Sequence, residues 1–331
     1  MQVFRHYDST PELLRGAVVA IGNFDGVHRG HQEIIAKAAR LAQELGCPHA
    51  VLTFEPHPRS VFAPESEPFR LTPFRLKVRL IETLGVDALF AIPFDLDFAK
   101  RSAEDFVTDV LVEGLGVRYI VVGDNFRFGR QRKGDIDLLV EMGRVAGFGV
   151  TSVELLTDDS EEAYSSSLIR DYLKSGNPTR AALLLGRYWE IEGRVQPGER
   201  RGRTIGFPTA NLPLGEALHP AYGVYAVRAG VEGPQEVTWH SGVANLGRRP
   251  TVDGDTPLLE VHLFDFEADI YARHMRVALV DFLRPERKFD GLEALKRQIE
   301  EDCGRARTIL KLEQWQAGWP ASDLLPDKPE A

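Results

Sequence analysis

Short apolar runs alternate with segments of helical period from the N-terminus to about Arg180. Beyond Asn177-Pro178 the alternation gives way to strand-like runs set among Gly and Pro. This change of texture constrains the fold more than any other feature of the chain. In the first half, residues 17–22, 49–54, 88–93, 119–123 and 149–155 read as buried strands. Between them, 32–45, 76–84, 103–112 and 135–146 carry apolar residues at helical spacing. Strands separated by helices imply crossover connections and a mostly parallel sheet with helices on both faces. The second half keeps one helical segment, 179–185, then strand-like stretches at 188–195, 224–227, 237–244, 259–264 and 275–282, and a closing helix at 292–314. Strands joined by turns predict a compact antiparallel β-barrel with a C-terminal helix. The expected fold is therefore an α/β, Rossmann-like domain over residues 1–183 followed by a barrel domain over 184–331.

At 331 residues the chain suits about two domains, each long enough to bury a core. Its 43% hydrophobic and 27% charged content excludes a largely disordered chain. Acidic residues outnumber basic ones by 49 to 40, and the formal charge of -9 argues against nucleic acid as a partner. The 2 cysteines, Cys47 and Cys303, lie far apart, which excludes a disulfide framework and a cysteine zinc site. No apolar run approaches the roughly 20 residues of a membrane span, and residues 1–15 lack the apolar core of a secretory signal. A soluble, cytoplasmic protein with no membrane partner is expected; the sequence is silent on oligomeric state.

Gly22-Asn23-Phe24-Asp25-Gly26-Val27-His28-Arg29-Gly30-His31 follows the first expected strand and opens the first long helix. Glycines there let backbone approach a phosphate, and the unpaired N–H groups of a helix start attract anions. His28 and His31, three apart, share one face of the first turn and could donate hydrogen bonds to a phosphate whose charge changes during reaction. A strand-to-helix turn with two solvent histidines, or a zinc pair, fits the same residues, although no cysteine cluster supplies a further zinc ligand.

His28-Arg29-Gly30-His31 resembles the HxGH signature of the nucleotidyltransferase superfamily, which transfers adenylyl or cytidylyl groups to phosphates. Three further segments narrow the resemblance. They are Thr53-Phe54-Glu55-Pro56-His57-Pro58, Gly123-Asp124-Asn125-Phe126-Arg127-Phe128-Gly129 and Ser165-Ser166-Ser167-Leu168-Ile169-Arg170. Each is similar to a segment of the FMN adenylyltransferase module of bacterial bifunctional riboflavin kinase/FAD synthetases. Read without the resemblance, the first could be a Pro-stiffened turn, the second a polar loop with two packing phenylalanines, and the third a helix cap. The resemblance implies that His28 and His31 are catalytic. It implies further that Gly22, Phe24, Asp25, Gly26, Gly30, Pro56, His57, Pro58, Asp124, Asn125, Arg127, Phe128, Ser166, Ser167 and Arg170 bind nucleotide or flavin. Where this chain has Ser167, such families often carry threonine; the hydroxyl is retained.

Gly202-Arg203-Thr204-Ile205-Gly206-Phe207-Pro208-Thr209-Ala210-Asn211 lies early in the expected barrel. Gly202 and Gly206 let a loop fold over phosphates. Thr209 and Asn211 place two oxygens on one face of an extended chain, as hard ligands for Mg²⁺. The segment resembles the riboflavin kinase signature, whose core is Pro-Thr-Ala-Asn. Gly242-Val243-Ala244-Asn245-Leu246-Gly247-Arg248-Arg249-Pro250-Thr251 and Leu259-Glu260-Val261-His262-Leu263-Phe264 also match that family. The resemblance puts Glu260 in the role of general base and Gly202, Gly206, Pro208, Asn245 and Arg249 at the substrates. His262 is expected on the opposite strand face from Glu260, with a structural role.

The resemblance runs from about Val18 to Phe289, with its motifs in the family's order. It implies a bifunctional enzyme of FAD biosynthesis. ATP and Mg²⁺ convert riboflavin to FMN in the barrel, and a second ATP adenylates FMN to FAD, releasing pyrophosphate, in the α/β domain.

Overall fold

A computed structural model describes residues 1–154, 164–197, 205–233, 236–251 and 254–312, with the side chains of 249–256 left undescribed. The chain divides into two compact units. Of the described residues, 1–67 and 72–165 form the first unit; the second takes Pro68–Leu71 and the chain from Ser166 to Leu312.

In the first unit the elements run β1 (Gln2–Phe4), β2 (Val18–Ile21), α1 (Arg29–Leu45), β3 (His49–Glu55), α2 (Pro58–Phe62), α3 (Phe74–Glu82) and β4 (Ala88–Pro93). A short α4 (Ala103–Asp105) continues as a π-helical segment (Phe106–Gly114), followed by β5 (Tyr119–Gly123), α5 (Ile136–Ala146) and β6 (Gly149–Val153). Six strands pair in the order β1-β4-β3-β2-β5-β6, and every pairing is parallel. All of β2 and most of β3 and β4 are buried, as expected for strands covered on both faces. From β2 the chain builds outward through β3 and β4, then returns to lay β5 on the other side of β2. The crevice of an open α/β sheet forms at such a reversal, beyond the strands' carboxyl ends.

β1 and α2 go beyond the sequence reading, because three and five residues are too few to show a period. The segment expected as one helix over 103–112 widens to a π-helix, so its spacing departs from 3.6.

The second unit begins with α6 (Ser166–Lys174) and α7 (Pro178–Leu185). It continues through β7 (Trp189–Arg194), β8 (Ala210–Pro213), β9 (Gly223–Glu232), β10 (Val237–Thr251), β11 (Gly254–Leu263), β12 (His274–Pro285) and α8 (Leu292–Leu312). The order β7-β12-β9-β10-β11-β8 is antiparallel throughout. The sheet curls until its ends meet beside the edge strands, where Gln196 N donates to the Asn211 carbonyl at 2.9 Å. α8 covers one face, packing Ala306 and Leu310 against Val224, Ala226, Val243 and Phe264. The helix is also tied down by Asp302, which accepts from Arg284 at 2.7 Å and from Gln298 at 2.9 Å.

α6 and α7 pack with this unit: Ala221 N donates to the Leu173 carbonyl, and Thr179 Oγ1 to that of Val280. Residues 68–71 form a strap in the same unit. Trp189, fully buried, donates Nε1 to the Leu71 carbonyl at 2.8 Å, and Leu218 N donates to that of Arg70. The boundary between the units therefore falls ahead of α6, whereas the change of texture in the sequence lies after it.

His49 opens β3 fully enclosed, its Nε2 lacking a partner among the described residues. Burial pushes the imidazole down to about 4, against a smaller opposing pull from Asp87. An unfolded chain takes up that proton near pH 6.5 and the folded one does not, so stability present above 6.5 drains away as pH falls toward 4. The loss is on the order of 3 kcal/mol. His49→Gln is expected to flatten the fall in urea midpoint between pH 7 and pH 4.5; an unchanged slope would assign it to another group.

Candidate active sites

Both loops at the reversal point of the parallel sheet are ones the sequence singles out: Gly22–His31 follows β2 and Asp124–Gly129 follows β5. Phe24 and Val27 turn the first of these through positive φ, 49° and 42°, with both side chains buried. A β-branched residue in that region is strained by about 1–3 kcal/mol, a cost the surroundings must hold in place. They do so from below. The Asn23 carbonyl accepts from Lys77 Nζ at 2.8 Å and Thr53 Oγ1 at 3.1 Å. Asp25 turns inward, its Oδ1 accepting from Thr72 N and Oγ1, while Gly26 N donates to the Thr72 hydroxyl.

His28 caps α1, its Nδ1 accepting from His31 N at 3.4 Å. The two imidazoles stack with centroids 3.6 Å apart, and His31 meets the Phe24 ring edge-on at 5.3 Å. With Nδ1 accepting, a neutral His28 carries its proton on Nε2, which becomes the donor. Gly30 leaves room for the His28 ring, which a Cβ there would approach to 3.3 Å.

His57 caps α2, accepting from Arg59 N at 3.1 Å, with Pro56 and Pro58 on either side. After β5, Asp124 N donates to the Val153 carbonyl and Phe126 N to that of Gly123, so Asn125 sits at a turn. Arg127 pairs with Asp135 at 2.9 Å, and Phe128 stacks on Phe126. Around these loops the rings of Phe54, Phe94, Phe98, Phe106 and Phe128 form a continuous aromatic cluster. Phe62 of α2, 63% exposed, extends it outward. Ser166, Ser167 and Arg170 belong to α6 of the second unit, where Arg170 Nε donates to the Phe69 carbonyl at 2.8 Å.

The second site is organised by strand register. Glu260 on β11 lies opposite Asn211 on β8 and opposite Asn245 on β10, so the three residues form a row on one sheet face. Asn211 is buried, and its Oδ1 has no partner among the described residues. An amide oxygen so placed can serve as a hard ligand. Thr209 precedes β8 at the mouth of a cavity of about 380 Å³, walled also by Pro208, Val261, Leu263, Phe266 and Tyr271. Val261 and Leu263 alternate with Glu260 along β11, which puts the cavity on the other face from the row. Gly206 has φ 90° and open space around it, so glycine is needed for backbone conformation and not for room. Gly202 and the side chain of Arg249 lie outside the described residues.

His262 corrects the sequence reading: two residues from Glu260 on a strand, it shares that residue's face. Its Nδ1 lies 2.9 Å from the Pro208 carbonyl, tying β11 to the loop before β8.

Sequence reasoning missed Lys77 and the phenylalanine cluster. A lysine among Leu76, Leu80 and Ile81 reads as a helix-face residue, yet its side chain is wholly buried. Of the cluster's rings, Phe54 and Phe128 lie in segments that the resemblance picks out, whereas Phe94, Phe98 and Phe106 read singly as core.

A family model described as FAD synthetase matches residues 10–167, and one described as riboflavin kinase matches 185–310. A bifunctional riboflavin kinase/FMN adenylyltransferase of Escherichia coli K12 is 42% identical over 297 residues, covering 90% of this chain and 94% of its own. Its namesake in Pseudomonas fluorescens is 42% identical, with 93% and 98% covered; that of Bacillus subtilis is 41% identical, with 86% and 90% covered. A solved structure described as a macrolide-efflux protein from Streptococcus pneumoniae superposes with a TM-score of 0.81 at 30% identity, over 95% of this chain and 99% of that one. Among the described residues, no helix is long and apolar enough to cross a membrane.

Removing the ammonium beneath the first loop tests how that loop is held. A hydrogen bond from a charged group contributes about 1.5–3 kcal/mol. Lys77→Met is therefore expected to speed hydrogen exchange across residues 22–31 by about tenfold or more. Unchanged exchange there would show that Thr53 and Thr72 suffice.

Proposed function

The chain belongs to the bifunctional riboflavin kinase/FMN adenylyltransferase family, and on that premise we propose how its residues divide the work. It phosphorylates riboflavin to FMN with ATP, and joins FMN to the AMP part of a second ATP, giving FAD and pyrophosphate. We assign adenylyl transfer to residues 1–183 and the kinase to 184–331. The location is cytoplasmic, and the partners are riboflavin, FMN and ATP, without nucleic acid.

In adenylyl transfer a phosphate oxygen of FMN attacks the α-phosphorus of ATP and pyrophosphate departs. The attacking phosphate is already ionised, so no base is needed; catalysis is positioning and charge stabilisation. His28 Nε2, His31 and the first N–H groups of α1 converge where negative charge grows, a fit supported by the stacked, capped geometry of the two rings. Phe62 and the rings behind it offer a surface for the flavin. Arg127 would exchange Asp135 for a phosphate, and Asp25 serves the loop through Thr72. Ser166, Ser167 and Arg170 are assigned to the ATP phosphates on resemblance alone.

In the kinase reaction Glu260 takes the proton of the riboflavin 5′-hydroxyl as that oxygen attacks the γ-phosphorus of ATP and ADP leaves. The observation that supports this assignment is the row Asn211–Glu260–Asn245, in which Glu260 stands one strand from a buried amide oxygen without a partner among the described residues. Asn211 and Thr209 would hold Mg²⁺, which when bound neutralises phosphate charge.

Chromatography of flavins formed from riboflavin and MgATP tests the assignment. His28→Ala or His31→Ala is expected to cut FAD formation from supplied FMN by about 10²–10³ while FMN formation continues. Equal losses in both would mean a folding defect. Glu260→Gln should lower kinase turnover by about 10²–10⁴ with Michaelis constants little moved. Asn211→Ala should instead weaken the apparent Mg²⁺ or ATP affinity. Kinase turnover that survives Glu260→Gln would remove the base from this mechanism.

A further inference from the structure

The Glu260 face carries a second carboxylate. Gly247 lies two residues beyond Asn245 on β10 and therefore points to the same side of the sheet. A Cβ built on Gly247 would fall 2.5 Å from Glu286 Oε1 and 3.1 Å from Asn245 Nδ2. Glu286, just past the end of β12, thus lays its carboxylate over the bare backbone of Gly247, beside Asn245. Among the described residues no hydrogen bond or ion pair engages that carboxylate.

Strand spacing and rise put Gly247 on the order of 8 Å from Glu260 along this face. That is about the length of a ribityl chain whose terminal hydroxyl stands at Glu260. Between the reacting oxygen and the flavin ring, riboflavin carries a run of secondary hydroxyls, each a donor seeking an acceptor. An ionised carboxylate only accepts, and Glu286 stands in their path. We propose that Glu286 is a specificity-determining residue of the kinase site: its carboxylate accepts a hydrogen bond from a ribityl hydroxyl of riboflavin. The absence of a side chain at position 247 makes room for it.

The proposal rests on the assignment of the kinase to this face, and the experiment separates the two. In the full-length chain, Glu286→Ala is expected to raise the KM for riboflavin about tenfold or more, the loss of one charge-assisted hydrogen bond. Its kcat should stay within a few-fold, with the KM for ATP and FAD formation from supplied FMN unaltered. Gly247→Ala, which displaces the carboxylate without deleting it, should raise the same KM. Lumiflavin, which has the ring but no ribityl chain, should inhibit wild type and both variants equally. An unchanged riboflavin KM in both variants overturns the proposal, and a parallel loss of lumiflavin affinity overturns the ribityl contact in favour of the ring or the fold. If the wild-type chain forms no FMN at all, the kinase assignment itself fails.

Discussion

The backbone groups of β11 are paired on both sides, to β10 and to β8, and that double ladder leaves no freedom in where Glu260 sits. A slip of one residue against either neighbour would carry the carboxylate to the opposite face and turn Val261 and Leu263 to the face it left. It would also strip β8 of its partners, and buried amides without partners are too costly to persist. The row Asn211–Glu260–Asn245 is therefore held by main-chain hydrogen bonds, and side chains only use the position they are given. The same face receives Gly247 and Glu286, so the proposed base, the proposed ligand oxygen and the inferred ribityl acceptor all depend on one register.

The first site depends on another kind of restraint. Its loop is bent through conformations that phenylalanine and valine resist, and it stays bent because three side chains reach it from neighbouring elements. Lys77 is the least replaceable of them, since a buried ammonium needs the Asn23 carbonyl and Glu55, 3.8 Å away, as much as they need it. Strain held in this way presents His28 and His31 in one geometry before any ligand arrives, which is what charge stabilisation without reorganisation requires.

Within the second unit, the strap of residues 68–71 shows how far sequence distance misleads. It lies between α2 and α3 in the chain, yet its carbonyls serve Trp189, Leu218 and Arg170. Trp189 could not be fully buried without such an acceptor, because its indole N–H must find a partner. Nothing in the strap's own composition announces this.

The broad architecture was legible in the chain because hydrophobic period reports burial directly: period 3.6 between buried runs for the parallel sheet, short runs and turns for the curled one. His28 and His31 stood out in the chain by their place in a glycine-rich turn, and Thr209 and Asn211 by their spacing on an extended segment, whereas Glu260 was named by resemblance to the riboflavin kinase family. Lys77, the phenylalanine cluster, the strap and the face shared by Glu260 and Glu286 were not legible. Each is a matter of which distant segments lie side by side, and a period along the chain carries no record of its partner. Residue type and spacing determined what chemistry the chain could offer. Strand register and loop packing, which are set by backbone pairing across tens of residues, decided which of those groups share one face.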